Sequence, residues 1–182
     1  MFTDRTEAGR RLGEELVARG VEADVVLAVP RGGLPVGRGV ADALNAPLDI
    51  VAGKKIGAPH NKELAVGAVS ADGSVWLNDD VIEELGVDDD YLQEERERAV
   101  ETAREKEERY RGGRIAEEIE GRRVVVVDDG VATGATTTAC LRRVRAEGAE
   151  SVVLAVPVGA PESVARLEKE ADEVVCLETP KR

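Results

Sequence analysis

The sequence holds only two cysteines, Cys140 and Cys176, far apart and outside any CxxC spacing, so neither a cysteine metal site nor a dithiol redox centre is available. Both lie in apolar patterns and read as small core residues. There is one histidine, His60. A Ser–His–Asp triad would have to use it, and no GxSxG elbow accompanies it, which argues against a hydrolase triad. No GxxxxGK[ST] occurs, which excludes a Walker A loop. The longest unbroken apolar runs, Val25–Val29 and Val152–Val156, are five residues long, far below the roughly 20 that cross a bilayer. The opening MFTDRTEAGRRLGEELVARG is charged throughout and lacks the apolar stretch of a secretory signal. These absences describe a soluble, cytoplasmic protein with no membrane partner.

Positive charge is scarce as well. Lys plus Arg number 25 against 37 Asp plus Glu, a net charge of −12. Nucleic-acid binding needs a basic surface to neutralise phosphates, so it is not expected, whereas a small basic site for one phosphorylated ligand remains open. Six lysines stand against nineteen arginines, and four residues are aromatic. High acidity with few lysines and much Ala and Val matches a halophile-like, salt-adapted cytoplasm; an ordinary acidic protein is the alternative. At 182 residues the chain has the length of one α/β domain and can bury a core without disulfides or a structural metal. No linker or low-complexity stretch divides it. Residues 1–182 therefore read as a single domain, with an insertion over about residues 64–113.

Asp4 caps a first helix, with Glu7 closing a capping box, Ala8, Leu12, Leu16 and Val17 as its apolar face, and Gly20 at its end. DVVLAVP is a β-branched run of the kind buried on both faces of a sheet. It leads through Arg31-Gly32-Gly33 into a helix from about Leu34 to Asn45, and Leu48–Val51 is a short strand. GKKIGAPHNKE reads as a loop, with His60 and Lys62 at a solvated tip. Leu64–Val69 and Val75–Asn78 form a hairpin around Ala71-Asp72-Gly73. From Asp88 to about Tyr110 runs a Glu- and Arg-rich helix whose thin apolar stripe is Leu92, Ala99, Val100 and Ala103, a pattern typical of a solvated face. Strand Val124–Val127, helix Ala135–Glu147, strand Val152–Val156, helix Glu162–Lys169 and strand Glu173–Leu177 follow. The alternation specifies an α/β fold: a mainly parallel sheet flanked by helices, with a small inserted hairpin and a long charged helix.

The chemistry concentrates in VVVVDDGVATGATTTA, residues 124–139. A buried strand ends in two aspartates at the carboxyl end, where open parallel sheets bind ligands. Gly130, Gly134 and Ala135 allow a close backbone approach. Thr133, Thr136 and Thr137 supply hydroxyls, and the first-turn N–H groups of the next helix make an anion site that suits a monophosphate. Asp128 and Asp129 suit neighbouring hydroxyls or a hydrated Mg²⁺. A phosphate cradle beside a diol acceptor describes a ribose 5-phosphate. Read alone, the segment is also a strand-end acidic pair followed by a helix cap, and PRGG is also a plain strand-to-helix turn.

VVVVDDGVATGAT is similar to the phosphoribosyl-diphosphate (PRPP) signature of type I phosphoribosyltransferases, over all 13 positions. The likeness extends from FTDRTEAGRRL through KKIGAPHNKELAVGAV to that signature and points to a subgroup whose acceptor is unsettled. The resemblance implies that Asp128 and Asp129 contact the ribose hydroxyls and that Ala132, Thr133, Gly134, Ala135 and Thr136 wrap the 5-phosphate. It implies that Arg31, Gly32 and Gly33 hold the diphosphate, often through an unusual peptide geometry. Lys54 and Lys55 match the basic opening of the family's mobile loop, which closes over the reacting centre and excludes water. Mg²⁺ is the implied cofactor, held mainly by PRPP and through Asp128 or Asp129 rather than by a protein cage. Purine-salvage members carry an aspartate where this chain has Ala132, which sets it apart from their reaction at the base.

The implied reaction displaces diphosphate from PRPP with a nitrogen acceptor, a nucleobase being the expected class, and a homodimer is the expected assembly. Two other readings stand beside it. One is a non-catalytic PRPP- or nucleotide-binding regulator of the same fold. The other is a Mg²⁺-dependent phosphohydrolase or receiver-like domain built on Asp128 and Asp129, which leaves the threonine loop unexplained.

Overall fold

A strand of unbroken valines is stable only where both of its faces are covered. The computed structural model, which describes residues 1–180, gives Val124–Val127 that setting. Its elements run α1 (Arg5–Ala18), β1 (Val25–Ala28), α2 (Gly33–Leu44), β2 (Leu48–Ile50), β3 (Gly53–Ala58), β4 (Asn61–Ser70), β5 (Val75–Leu77), α3 (Asp79–Leu85), α4 (Asp89–Arg111), β6 (Arg123–Val127), α5 (Ala135–Ala146), β7 (Ser151–Val158), α6 (Pro161–Leu167) and β8 (Glu173–Glu178). Five strands form a parallel sheet in the order β2-β1-β6-β7-β8. Alternate side chains go to opposite faces. Val25, Leu27, Val124, Val126 and Leu154 pack against Leu141 and Val144 of α5 and Leu167 of α6. Val26, Val125, Val127 and Ala155 pack against Leu12 and Leu16 of α1 and Val36 and Val40 of α2.

The first helix starts as its sequence dictates, with the Asp4 carboxylate accepting from Glu7 N at 2.8 Å. The box closes one residue earlier than expected: the Glu7 carboxylate accepts from Thr3 N at 2.9 Å. Val17 is 54% exposed, so the apolar face narrows to Ala8, Leu12 and Leu16. Helices α1 and α2 approach through glycines. A Cβ on Gly9 would lie 2.8 Å from Val36 O, and one on Gly39 would lie 2.6 Å from Gly9 C. No side chain fits between them, and the axial position of α1 follows from that contact.

The remaining strands make a separate antiparallel sheet, β3-β4-β5. GKKIGAPHNKE is therefore not a loop but most of a hairpin, with Pro59-His60 at the tip. Burial of Ile56, Ala58, Val66 and Val69 against Ala99 of α4 explains the pairing, and the interleaved glycines and lysines had hidden the alternation. Tyr91 straps the hairpin to α4: its hydroxyl donates to Gly57 O at 2.7 Å and accepts from Lys62 Nζ at 2.9 Å. The short α3, capped by Asn78 at Val81 N, was not foreseen.

Helix α4 is capped by Asp88 and ends at Gly112 with positive φ, close to the expected limits. Its stripe is less solvated than its composition suggests, because Glu107 is buried beside Ala99 and Ala103. The Glu107 carboxylate accepts from Ala52 N at 3.0 Å, pairs with Arg143 and lies 3.8 Å from Arg111. Asp49 in β2 accepts from Arg111 Nε at 3.0 Å and from Glu117 N at 2.8 Å. These bonds tie the second sheet and its helix to the parallel sheet. Among the described residues no helix is long and apolar enough to cross a membrane.

Candidate functional site

Strands β1 and β6 are neighbours, with Ala28 opposite Val127, and the pairing continues as Val29 N donates to Val127 O at 2.9 Å. The loops that leave their carboxyl ends, Pro30–Gly32 and Asp128–Gly134, therefore lie side by side in the crevice where open parallel sheets take ligands. The fit leaves no room for side chains. A Cβ on Gly32 would run into the Asp129 carboxylate, and one on Gly33 would lie 2.8 Å from Val127 O. The Pro30–Arg31 peptide bond is cis, and the Arg31 side chain is exposed. Two segments that are remote in sequence thus form one surface.

Asp128 is half-buried. Its Oδ1 accepts from Asp129 N at 2.8 Å and its Oδ2 from the Thr137 hydroxyl at 3.2 Å. Burial pushes its carboxyl well above the usual carboxylate range, and the charge of Asp129 adds to the rise. Asp129 faces outward. Its Oδ2 accepts from both Nε and Nη2 of Arg5, at 3.1 and 2.9 Å, while its Oδ1 accepts no hydrogen bond among the described residues.

Beyond the aspartates the chain turns into α5. Ala132 and Thr133 are exposed, Thr136 is half-buried, and Gly134, Ala135 and Thr137 are buried. The Thr133 hydroxyl accepts from Ala135 N at 3.5 Å, and Ser163 Oγ donates to Ala132 O at 2.5 Å, fixing the loop from both sides. The first-turn N–H groups of α5 have no partners within the helix, which suits an anion. A cavity of about 390 Å³ lies elsewhere, beside Asp49, Arg111 and Arg143, next to the buried ion network. The loop itself borders a second cavity, of about 300 Å³, whose lining also includes Trp76 and Arg166. The Arg166 guanidinium sits 5.5 Å from the centroid of the Trp76 ring, and a Cβ on Gly134 would come within 3.0 Å of it.

The hairpin brings its lysines alongside. Gly53 packs on Thr136, and the alternation puts Lys55, opposite Ala68, on the face toward α5, while Lys54, opposite Val69, lies on the α4 face with Ile56. Lys54 is exposed, with no ion pair among the described residues, whereas Lys55 donates to Glu63 O at 2.9 Å and lies 3.7 Å from the Glu63 carboxylate. His60 is exposed at the tip.

Sequence reasoning missed Arg5, Trp76 and Arg166. A signal existed for Arg5: a cation in the first turn of a helix opposes the macrodipole, so its position has another cause. Trp76 of β5 and Arg166 of α6 meet only in the folded chain, and no local pattern announces it.

Residues 4–181 match the family model described as phosphoribosyl transferase domain. Sequences from two Mycobacterium tuberculosis strains, provisionally named phosphoribosyl transferases, are 48% identical over 181 residues, covering 99% of this chain and 41% of theirs. The chain thus spans about two fifths of the length of these curated relatives. The crystal structure of TT1426 from Thermus thermophilus is similar at a TM-score of 0.82 and 46% identity, over 100% of this chain and 86% of that one. A purine phosphoribosyltransferase from Pyrococcus horikoshii shares the fold at a TM-score of 0.53 and 19% identity, over 97% and 84% of the two chains.

Proposed function

The chain belongs to the phosphoribosyl transferase domain family, and from that premise we propose that it binds PRPP and transfers the phosphoribosyl group to a nitrogen acceptor, releasing diphosphate. The observation that carries this reading is the contact between the two loops: Gly32 stands against Asp129, so a ligand held by one loop must touch the other. In this reading the Asp128–Asp129 pair accepts from the ribose hydroxyls. Residues Ala132 to Thr137 and the first turn of α5 hold the 5-phosphate. Gly32 offers its backbone N–H to the diphosphate, that of Gly33 being held by Val29 O at 2.9 Å, and Arg31, Lys54 and Lys55 are the cations of the flanking segments. The acceptor takes the cavity between Ala132 and Trp76.

The two aspartates also fit Mg²⁺. They are hard oxygen donors, and among the described residues Asp129 Oδ1 accepts no hydrogen bond and no cluster of three or more His, Cys, Asp or Glu forms a cage of its own. Mg²⁺ is typically held by one or two carboxylates together with substrate oxygens, and when bound it neutralises charge on the leaving diphosphate. The protein's own contribution is then positioning and charge stabilisation, with no strong general base required of it.

The experiment is a screen of diphosphate release from PRPP and Mg²⁺ with each common nucleobase, alongside calorimetric PRPP binding. Base-dependent release supports the transferase. Binding without release supports a non-catalytic regulator, a reading favoured by one observation: Lys55 is held by Glu63 and so is less available to a leaving diphosphate. No binding at all would defeat both. We also infer a cytoplasmic, salt-adapted setting from the net charge of −12. Retention of the folded CD spectrum after dialysis from molar KCl to low salt would defeat that part alone.

A further inference from the structure

Helix electrostatics favour carboxylates, not cations, in a first helical turn, yet α1 begins with Arg5. The guanidinium leaves the helix and reaches the sheet end, where Nε and Nη2 both meet Oδ2 of Asp129 at 3.1 and 2.9 Å. Because both donors converge on one oxygen, Oδ1 is left without a hydrogen-bond donor among the described residues and stands against Gly32. No other cation among the described residues pairs with Asp128 or Asp129. The base of this fork is rigid. The Gly9–Gly39 contact sets where α1 lies against α2, and the Asp4 and Thr3–Glu7 bonds fix its first turn. The missing side chain of Gly32 makes the space that this carboxylate occupies.

We propose that Arg5 is a positioning residue for sugar recognition: anchored in α1, it fixes the rotamer of Asp129 so that Oδ1 is presented to a ribose hydroxyl. The proposal rests on the phosphoribosyl reading and adds a residue to it. The fork holds Oδ2 and leaves the other oxygen to the ligand, so it orients the acceptor and does not occupy it. A lysine supplies the charge without the planar fork and orients less well.

The test is a double-mutant cycle read by calorimetry with ribose 5-phosphate, which carries the hydroxyls and the 5-phosphate but no diphosphate. The proteins are wild type, Arg5→Ala, Arg5→Lys, Asp129→Asn and the Arg5→Ala/Asp129→Asn double variant, with urea midpoints confirming that each is folded. Arg5→Ala should weaken binding roughly fivefold, the size of effect available to a half-exposed charge-assisted bond. Arg5→Lys should recover part of the loss, and Arg5→Ala should add nothing once Asp129 is Asn. An equal loss in both backgrounds would show that Arg5 acts on the ligand or the fold by itself and would overturn the proposal. Tighter binding by Arg5→Ala would reveal a blocking latch and overturn it too.

If Asp129→Asn binds too weakly to titrate, the coupling is read from hydroxyl discrimination. Arg5→Ala should then lower the preference for ribose 5-phosphate over its 2-deoxy and 3-deoxy analogues, and an unchanged preference overturns the proposal. A wild-type protein that binds neither ribose 5-phosphate nor PRPP defeats the parent reading. One that binds them with no Arg5–Asp129 coupling defeats this inference alone.

Discussion

The two sheets of this protein are held by different forces. The parallel sheet is sandwiched between helices by aliphatic side chains, and Val25–Ala28 and Val124–Val127 at its centre are buried. The antiparallel sheet has a smaller apolar cluster around Ile56 and Val66, and its helix α4 is joined to the rest through Glu107, Arg111, Arg143 and Asp49. A chain of net charge −12 can use this division. Apolar residues are concentrated where the ligand loops need a stiff platform, and charged ones carry the attachment of the covering lobe. The comparison also separates two kinds of ion pair. The buried group cannot be broken cheaply, while the i,i+4 pairs on α1 and α2 and the i,i+3 pairs on α4 are more exposed and worth little each.

Glu107→Ala is the strongest way to break this picture. It leaves the Ala52 N–H unpaired and takes from Arg143 its buried partner, leaving it the more exposed Glu147, and loss of one partner of a buried pair costs about 3–5 kcal/mol. A urea melt should show a fall of that size, comparable to the ~2–5 kcal/mol expected for Leu154→Ala in the parallel core. A negligible fall would mean that the ion network is ornamental and that the lobes are joined by packing alone. Gly32→Ala comes next and affects function rather than stability. The added methyl displaces the Asp129 carboxylate, and PRPP affinity should drop about tenfold or more, because such a clash costs ~1–3 kcal/mol.

Asp128→Asn sharpens the contrast between platform and ligand surface. The Asp128 carboxyl is raised in the folded state, so its ionisation disfavours folding, and the deficit opens as pH rises from the ordinary carboxylate range through the raised value. The Asn variant should therefore match wild type near pH 3.5 and melt roughly a few degrees higher near pH 8, while binding PRPP more weakly. A melt that is lower at every pH would contradict this. The smallest effect is expected from Tyr91→Phe, which removes the strap on Gly57 and costs about 1 kcal/mol. Hydrogen exchange should quicken in β3 and β4 and stay unchanged in β1 and β6.

The same contrast explains what could be read without coordinates. Val124–Val127 and DVVLAVP announce buried parallel strands because burial on both faces demands unbroken β-branched runs, and DDGVATGAT announces the loop because each small residue there answers a steric need. The hairpin was illegible for the opposite reason. Gly53, Lys54, Lys55 and Gly57 mask the alternation of Ile56 and Ala58, and the partner that buries them, Ala99, lies in a helix whose composition suggests solvent. Glu107 was hidden in the same way, since one buried glutamate among many exposed ones has no local mark. Arg5 was the most recoverable of the missed residues, because its charge is misplaced for a helix start.

The strand order also bears on how the molecule assembles. β1 and β6 touch along their length yet are separated by everything from Val29 to Arg122, so their hydrogen bonds form only after a long excursion of the chain has been closed. Such distant pairings are slow to form. The crevice for the ligand lies at that join, and a molecule bound across it clasps a seam that must part in unfolding. Ligand should accordingly lengthen the lifetime of the native state more than it speeds the route to it.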